Sequence, residues 1–255
     1  MRWPLAVIGL LPEWLLARMY ERRLSPVLRA ALEGRGGTFV DVGAHVGEFL
    51  LKLQRIRPEL PYLGFEPNPE AYEVLSRRAA RLPHARVLRL ALGEREGTAT
   101  LRLRAAGADP EASLVEGFRD ASFYRSAVEV QVAAGDRRLK DAGVERVALL
   151  KIDVEGAELE VLRGLRHTLA RDRPAILCEL LPSFEGDTTL SRERIRRQAE
   201  IASLLRALDY EVGDVGRDGR LRAWNLAAHS DVSRCDYLFF PAERAAELFA
   251  KVGGP

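Results

Sequence analysis

Residues Thr38 to Gly47 read Thr-Phe-Val-Asp-Val-Gly-Ala-His-Val-Gly. An apolar run of strand length ends in a glycine-bearing turn, and Phe49-Leu50-Leu51 behind it open a helical pattern. Strand, turn and helix in that order form the first unit of an open α/β sheet. Such sheets bind ligands beyond the carboxyl ends of their strands, near the point where strand order reverses. Gly43 removes a side chain where backbone must come close, and Gly47 lets the helix start pack tightly. The spacing is G-x-x-x-G, with His45 between the glycines. Dinucleotide sites use G-x-G-x-x-G, so the spacing weighs against a nicotinamide cofactor.

Outward from this turn the chain alternates short apolar runs with helical patterns, as βαβ units and a parallel sheet require. After the first strand, Thr38–Val42, the reading gives a helix over Gly47–Ile56, a second strand Tyr62–Phe65, a helix from Pro69 to Leu82 and a third strand Arg86–Leu90. Gly97–Leu103 and Val128–Val132 alternate as strands around an irregular stretch, Arg104–Ala127, that carries Gly107, Pro110 and Gly117. This is a β-rich insertion, at about residues 97–133, with a surface loop near the site. A short helix, Asp136–Ala142, leads back to the sheet. The apolar run Val147–Ile152 suits a strand covered on both faces. A helix over Glu155–Leu169, a strand Ala175–Leu181, an arginine-rich helix Arg192–Leu208 and strands Tyr210–Val215 and Cys235–Phe240 follow. The fold class is α/β: a doubly wound, Rossmann-like sheet, mostly parallel, with an antiparallel terminal strand. We divide the chain into an N-terminal helical extension, 1–37, and one domain, 38–255.

The 255 residues suffice for one such domain, and 47% hydrophobic with 30% charged residues suits a globular chain. A net charge of +2 gives no ground for a nucleic-acid partner. Lysine is confined to Lys52, Lys140, Lys151 and Lys251; a GC-rich genome explains the arginine bias more simply than phosphate binding. Cys178 and Cys235 lie in apolar runs and read as free core thiols of a reducing cytoplasm, and no Cys/His cluster has zinc spacing. The apolar run Leu5–Leu16 is broken by Pro12 and Glu13 and is too short to span a membrane. Trp14–Leu32 reads as an amphipathic segment that packs on the domain or docks at a membrane surface.

Four places carry the chemistry. Asp41, Gly43, Ala44, His45 and Gly47 form the first loop. Glu66, with Asn68 beside it, closes the second strand, where an acidic group can accept both hydroxyl hydrogens of a ribose. Ala91 and Leu92 follow the third strand and can line an adenine pocket. Asp153 and Glu155 follow the fourth strand on the same edge, with Glu158 one helical turn beyond. Each has a plainer alternative. Glycine at such a turn is often only structural, Glu66 can be a solvent-facing residue before a turn, and Ala91-Leu92 can simply end a strand. Asp153 and Glu155 can cap a helix.

The runs KIDVEGAELEVLRG (Lys151–Gly164), DVGAHVG (Asp41–Gly47) and FEPNP (Phe65–Pro69), with DYLFFP (Asp236–Pro241) near the end, resemble the FkbM-type family of S-adenosylmethionine (SAM) dependent methyltransferases. The resemblance covers roughly Thr38–Leu181. It implies a class I methyltransferase fold with a seven-stranded sheet, SAM across the first strands, and O-methylation of a hydroxyl on a small molecule, sugar or natural product. The family's first loop commonly carries Asn where this chain has His45. Ala112-Ser113-Leu114 resembles a Ser-Leu element of the family's insertion, which places Ser113 with the cofactor-binding residues. For the proton lost by an alcohol acceptor the reading nominates Asp153 or Glu155, with Glu179 in reserve. A divalent metal on these carboxylates is the less favoured arrangement. The rivals are a SAM-binding protein without catalysis and a nicotinamide-dependent oxidoreductase.

Overall fold

The computed structural model describes residues 13–184, 186 and 188–254. The apolar run at Leu5–Leu16 lies largely outside them. The first element, α1 (Glu13–Leu32), contains Pro26 and buries Leu24, Val27, Leu28, Ala31 and Leu32. β1 (Thr38–Val42), α2 (Glu48–Ile56), β2 (Tyr62–Phe65), α3 (Pro69–Ala79) and β3 (Ala85–Leu88) then build three parallel strands. Pro69 opens α3 because the first helical position needs no N–H, and Asn68 caps it by accepting the Glu70 amide at 3.0 Å.

β4 (Ala91–Gly93), β5 (Gly97–Leu103) and β6 (Ser126–Ala134) form a separate small sheet in the order β4-β6-β5. β6 is longer at both ends than the alternating run Val128–Val132, because it pairs along the whole of β5. After α4 (Gly135–Asp141) comes β7 (Val147–Ile152), buried at all six positions. The helix expected over Glu155–Leu169 is two helices, α5 (Glu158–Gly164) and α6 (Arg166–Asp172). Glu155 and Gly156 have φ of 50° and 108°, which no right-handed helix accommodates, so α5 begins after them. Asp136, from α4, accepts the His167 and Thr168 amides at 2.9 and 2.8 Å, capping a fresh start at α6.

β8 (Ala175–Glu179), α7 (Thr189–Arg206), β9 (Tyr210–Val215), β10 (Leu221–Ala223), β11 (Asp236–Pro241) and α8 (Ala245–Val252) complete the described chain. α7 starts before Arg192 because Thr188 accepts the Ser191 amide. The main sheet has the order β10-β9-β11-β8-β7-β1-β2-β3. Seven strands are those read from the sequence, and the short β10 adds an eighth by an antiparallel hairpin with β9. β11 is antiparallel, as expected, and lies between β8 and β9.

One sheet face is covered by α1, α2, α3 and α8, through residues such as Leu28, Leu50, Leu75 and Leu248. The other is covered by α4 to α7, through Leu139, Leu162, Leu169 and Leu205. Winding reverses between β1 and β7, which fixes a crevice at their carboxyl ends. Both cysteines are free; Cys178 is buried in β8, whereas Cys235 precedes β11 and is only partly buried. Among the described residues no helix is long and apolar enough to cross a membrane.

Candidate active site

The turn after β1 is built by its neighbours. The amides of Gly43 and Ala44 both donate to the Phe65 carbonyl at 3.0 Å, and the His45 amide donates to Glu66 Oε2 at 2.8 Å. Gly43 has φ of 76°, and a Cβ there would sit 1.7 Å from the Asp153 carbonyl oxygen. The close approach that demands glycine is therefore made by the chain itself. Gly47 has φ of 92°, and a Cβ there would meet Leu75 at 2.9 Å, which is the tight helix packing its position suggested.

Beneath the turn lies a buried polar knot. Tyr62 donates its hydroxyl to Asp41 Oδ2 at 2.6 Å, and Lys151 Nζ lies 3.3 Å from Asp41 Oδ1. Lys151 also donates to the Gly43 carbonyl at 2.6 Å and lies 3.5 Å from Asp153 Oδ2. Burial works against the ammonium, but the Asp41 and Asp153 carboxylates hold its pKa above the ordinary lysine value. The knot ties β1 to β7 across the reversal point. Lys151 received no role from the sequence, although a charge inside Val147–Ile152, otherwise apolar, was its visible signal.

A cavity of about 250 Å³ opens at this edge. Gly43, Ala44, His45, Glu66, Ala91, Leu92, Asp153 and Glu155 line it, so eight of the expected site residues converge. Glu48, Phe49, Phe65, Leu101, Asp109, Leu114 and Lys151 also line it, without having been singled out. Asp41, Gly47, Asn68, Ser113 and Glu179 are not on its wall. Asp41 belongs to the knot, and Gly47 packs α2. Asn68 caps α3 and donates Nδ2 to the Gly107 carbonyl at 3.1 Å. Ser113 is fully buried and donates its hydroxyl to the Glu155 carbonyl at 2.6 Å.

Glu66 is buried, with Oε1 accepting the Asn68 amide and Oε2 the His45 amide, both at 2.8 Å. A carboxylate offers about four lone-pair sites, so each oxygen retains one. Burial raises its pKa against these two amides. His45 has φ of 47°, and its Nε2 meets the Ala108 carbonyl at 2.9 Å. Burial disfavours its imidazolium, but the Glu48 carboxylate and the Ala108 carbonyl outweigh burial and raise the pKa. His45 and Asn68 thus hold consecutive carbonyls of the insertion over the cavity.

On the β7 side, Asp153 keeps a side chain 32% exposed. Glu155 is paired with Arg119 of the insertion at 2.8 Å; burial raises its pKa while Arg119 opposes the rise. Glu179, at the end of β8, is raised well above the ordinary value by the neighbouring Asp153 carboxylate and by burial. Arg119 is a further site residue the sequence did not disclose, because nothing local marks its partner 36 residues away.

A sheet ordered about a β1/β7 reversal, with a glycine turn, a strand-end glutamate and an antiparallel last strand, defines a class I methyltransferase fold. The FkbM methyltransferase domain matches residues 41–212, and the chain belongs to that family. Methyltransferase sdnD of Sordaria araneosa is 33% identical over 153 residues, covering 49% of this chain and 59% of that protein. The 2-O-methyltransferase NoeI of Sinorhizobium fredii is 27% identical over 182 residues, covering 60% and 74%. The solved methyltransferase FkbM of Methylobacillus flagellatus superposes with a TM-score of 0.51 at 16% identity, over 80% of this chain and 44% of that one. The matched stretch therefore spans little more than half of sdnD and less than half of the solved chain.

Proposed function

We propose that this chain transfers the methyl group of SAM to a hydroxyl oxygen of a small-molecule or saccharide acceptor. The observation that carries the reading is Glu66. It is buried at the end of β2, gives one lone pair on each oxygen to backbone amides, and keeps one on each for a vicinal diol such as ribose. The apolar wall of Phe65, Ala91, Leu92 and Leu101 suits a purine, and the turn at Gly43 brings backbone to the reversal point. Bound SAM supplies an electrophilic methyl carbon on a sulfonium. The chain must then align an acceptor, exclude water and take up a proton.

Asp153 suits the last task best. It lines the cavity and keeps solvent access, whereas Glu155 is engaged by Arg119 and Glu179 lies off the cavity wall. His45 stands on the cofactor side. Kinship with a 2-O-methyltransferase supports oxygen as the acceptor atom. The reading keeps, as part of this proposal, a division between residues 37 and 38 and an insertion at about 97–133, with α1 packed on one face of the sheet. Free thiols at Cys178 and Cys235 suit a cytoplasmic location. A divalent metal on Asp153 and Glu155 stays the less favoured arrangement. The test is calorimetric titration with SAM and with NAD, followed by SAM-dependent labelling of a metabolite extract, read by mass spectrometry as a gain of one methylene. SAM binding and a labelled alcohol are expected; tight NAD binding without SAM binding overturns the reading.

A further inference from the structure

Ser113 is fully buried, lies off the cavity wall and has every reason to be elsewhere unless its hydroxyl is needed. That hydroxyl donates to the Glu155 carbonyl at 2.6 Å and accepts the Val115 amide at 3.1 Å. The peptide unit that Ser113 grips by its oxygen is gripped by its nitrogen from the opposite side. The Gly156 N–H donates to Glu158 Oε1 at 2.8 Å. We propose that Ser113 is a positioning residue that works with Glu158 on the two ends of one peptide unit, holding the left-handed turn that presents Asp153 and Glu155 to the cavity.

The turn needs holding. Glu155 has φ of 50°, a region that side-chain-bearing residues visit at a cost and keep only where the surroundings over-determine them. Gly156, with φ of 108°, has the Phe118 ring where its Cβ would be, at 2.5 Å, and its carbonyl accepts from Arg197 at 2.8 Å. At the other end the Asp153 amide donates to the Val42 carbonyl at 3.0 Å, so the segment is free to relax only beyond Asp153. Ser113 is itself fixed, since its backbone exchanges hydrogen bonds with Arg102 of β5 at 2.9 and 3.0 Å. Ser113 and Phe118 both belong to the insertion. The seating of that insertion therefore decides how the carboxylates emerge. Without the Ser113 hydroxyl, the Glu155 carbonyl loses its buried donor and the Glu155–Gly156 peptide unit loses one of its two grips.

The inference rests on the methyl-transfer reading for its kinetic arm, and a second arm is independent of it. Ser113→Ala, Glu158→Ala, the double variant and Glu158→Gln are compared with wild type. Amide hydrogen exchange is followed on ligand-free protein, SAM affinity by calorimetry and methyl transfer at saturating donor. In Ser113→Ala, exchange at Gly156 should quicken at least tenfold while β7 keeps its protection. Turnover should fall at least tenfold, and the SAM dissociation constant should stay within twofold. Glu158→Ala should do the same, and the double variant should lose no more than a few-fold beyond the worse single, because both grip one peptide unit. Glu158→Gln retains an acceptor oxygen and should exchange like wild type. Wild-type protection at Gly156 in Ser113→Ala overturns the proposal. So does a loss of SAM affinity equal to the loss of turnover, which would make Ser113 a cofactor residue. If Ser113→Ala does not fold, Glu158→Ala decides by the same readings. If wild type transfers no methyl group, the methyl-transfer reading alone fails, and exchange at Gly156 still supports or overturns this one.

Discussion

Two turns leave neighbouring parallel strands at the same edge, one after β1 and one after β7, and they are held in opposite ways. The first, Gly43–Gly47, is satisfied by its own sheet: the Phe65 carbonyl and the Glu66 carboxylate take its amides. The second, Asp153–Ala157, is held by side chains from afar: Ser113 and Arg119 of the insertion, and Arg197 of α7. Both contain a side-chain-bearing left-handed residue, His45 and Glu155, and a glycine at a close approach, but Gly43 meets the backbone of the neighbouring strand's turn whereas Gly156 meets the Phe118 ring of the insertion. A turn made by strand ends is preformed with the sheet. A turn made by the insertion is only as ordered as the insertion. On the proposed function, the division would put the methyl donor on the rigid half and the acceptor on the half held by the insertion.

Breaking the rigid turn should have the largest effect. Gly43→Ala places a Cβ 1.7 Å from the Asp153 carbonyl oxygen, so strands β1 and β7 must part. Most of the native stability should go, more than about 4 kcal/mol, read as loss of a cooperative thermal transition. Asp153→Asn attacks the other turn without disturbing its backbone. Turnover should fall on the order of a hundredfold to ten-thousandfold with SAM affinity nearly unchanged; full turnover with only a lower melting temperature would leave Asp153 a structural partner of Lys151 and remove it as the base.

Glu158 gives the comparison a pH dependence. Burial raises its pKa from 4.5 to about 7. Above pH 4.5 the unfolded chain releases this proton while the native chain keeps it. The group's contribution to stability is therefore intact below 4.5 and is lost as pH rises to about 7, by about 3 kcal/mol. Glu158→Gln should remove that decline, seen as a flatter denaturation midpoint between pH 4.5 and 7. An unchanged slope would show that the carboxyl is not held protonated. Asn68→Ala has the smallest expected effect, about 1 kcal/mol from the lost cap of α3, measured by urea unfolding. Hydrogen exchange should also rise around Gly107, where Asn68 holds the insertion.

The same contrast explains what could be read from the sequence. β1, β2, β7 and β9 have the ends their apolar runs gave them, because each is bounded by a local signal such as Gly43 or Pro67. The three-residue strands β4 and β10 are too short for a period and exist through partners, β6 and β9. The break between α5 and α6 comes from Asp136, in another element. In the site, Gly43, His45 and Glu66 were legible because a strand-end position carries its own meaning. Ser113 was visible only as part of a motif, and its contact with Glu155 spans 42 residues. Lys151 was legible in principle as a charge in a buried strand, and Arg119 was not.

The place of β11 bears on how the molecule is made. This strand follows β9 and β10 in the chain yet lies between β8 and β9 in the sheet. During synthesis β8 and the β9–β10 hairpin must wait with facing edges unpaired until Asp236–Pro241 leaves the ribosome. Such edges invite pairing with other chains. A nascent or truncated polypeptide that stops short of Asp236 would carry the turn after β1 nearly complete and two open, apolar strand edges beside it, which makes it a client for chaperones and a seed for aggregation.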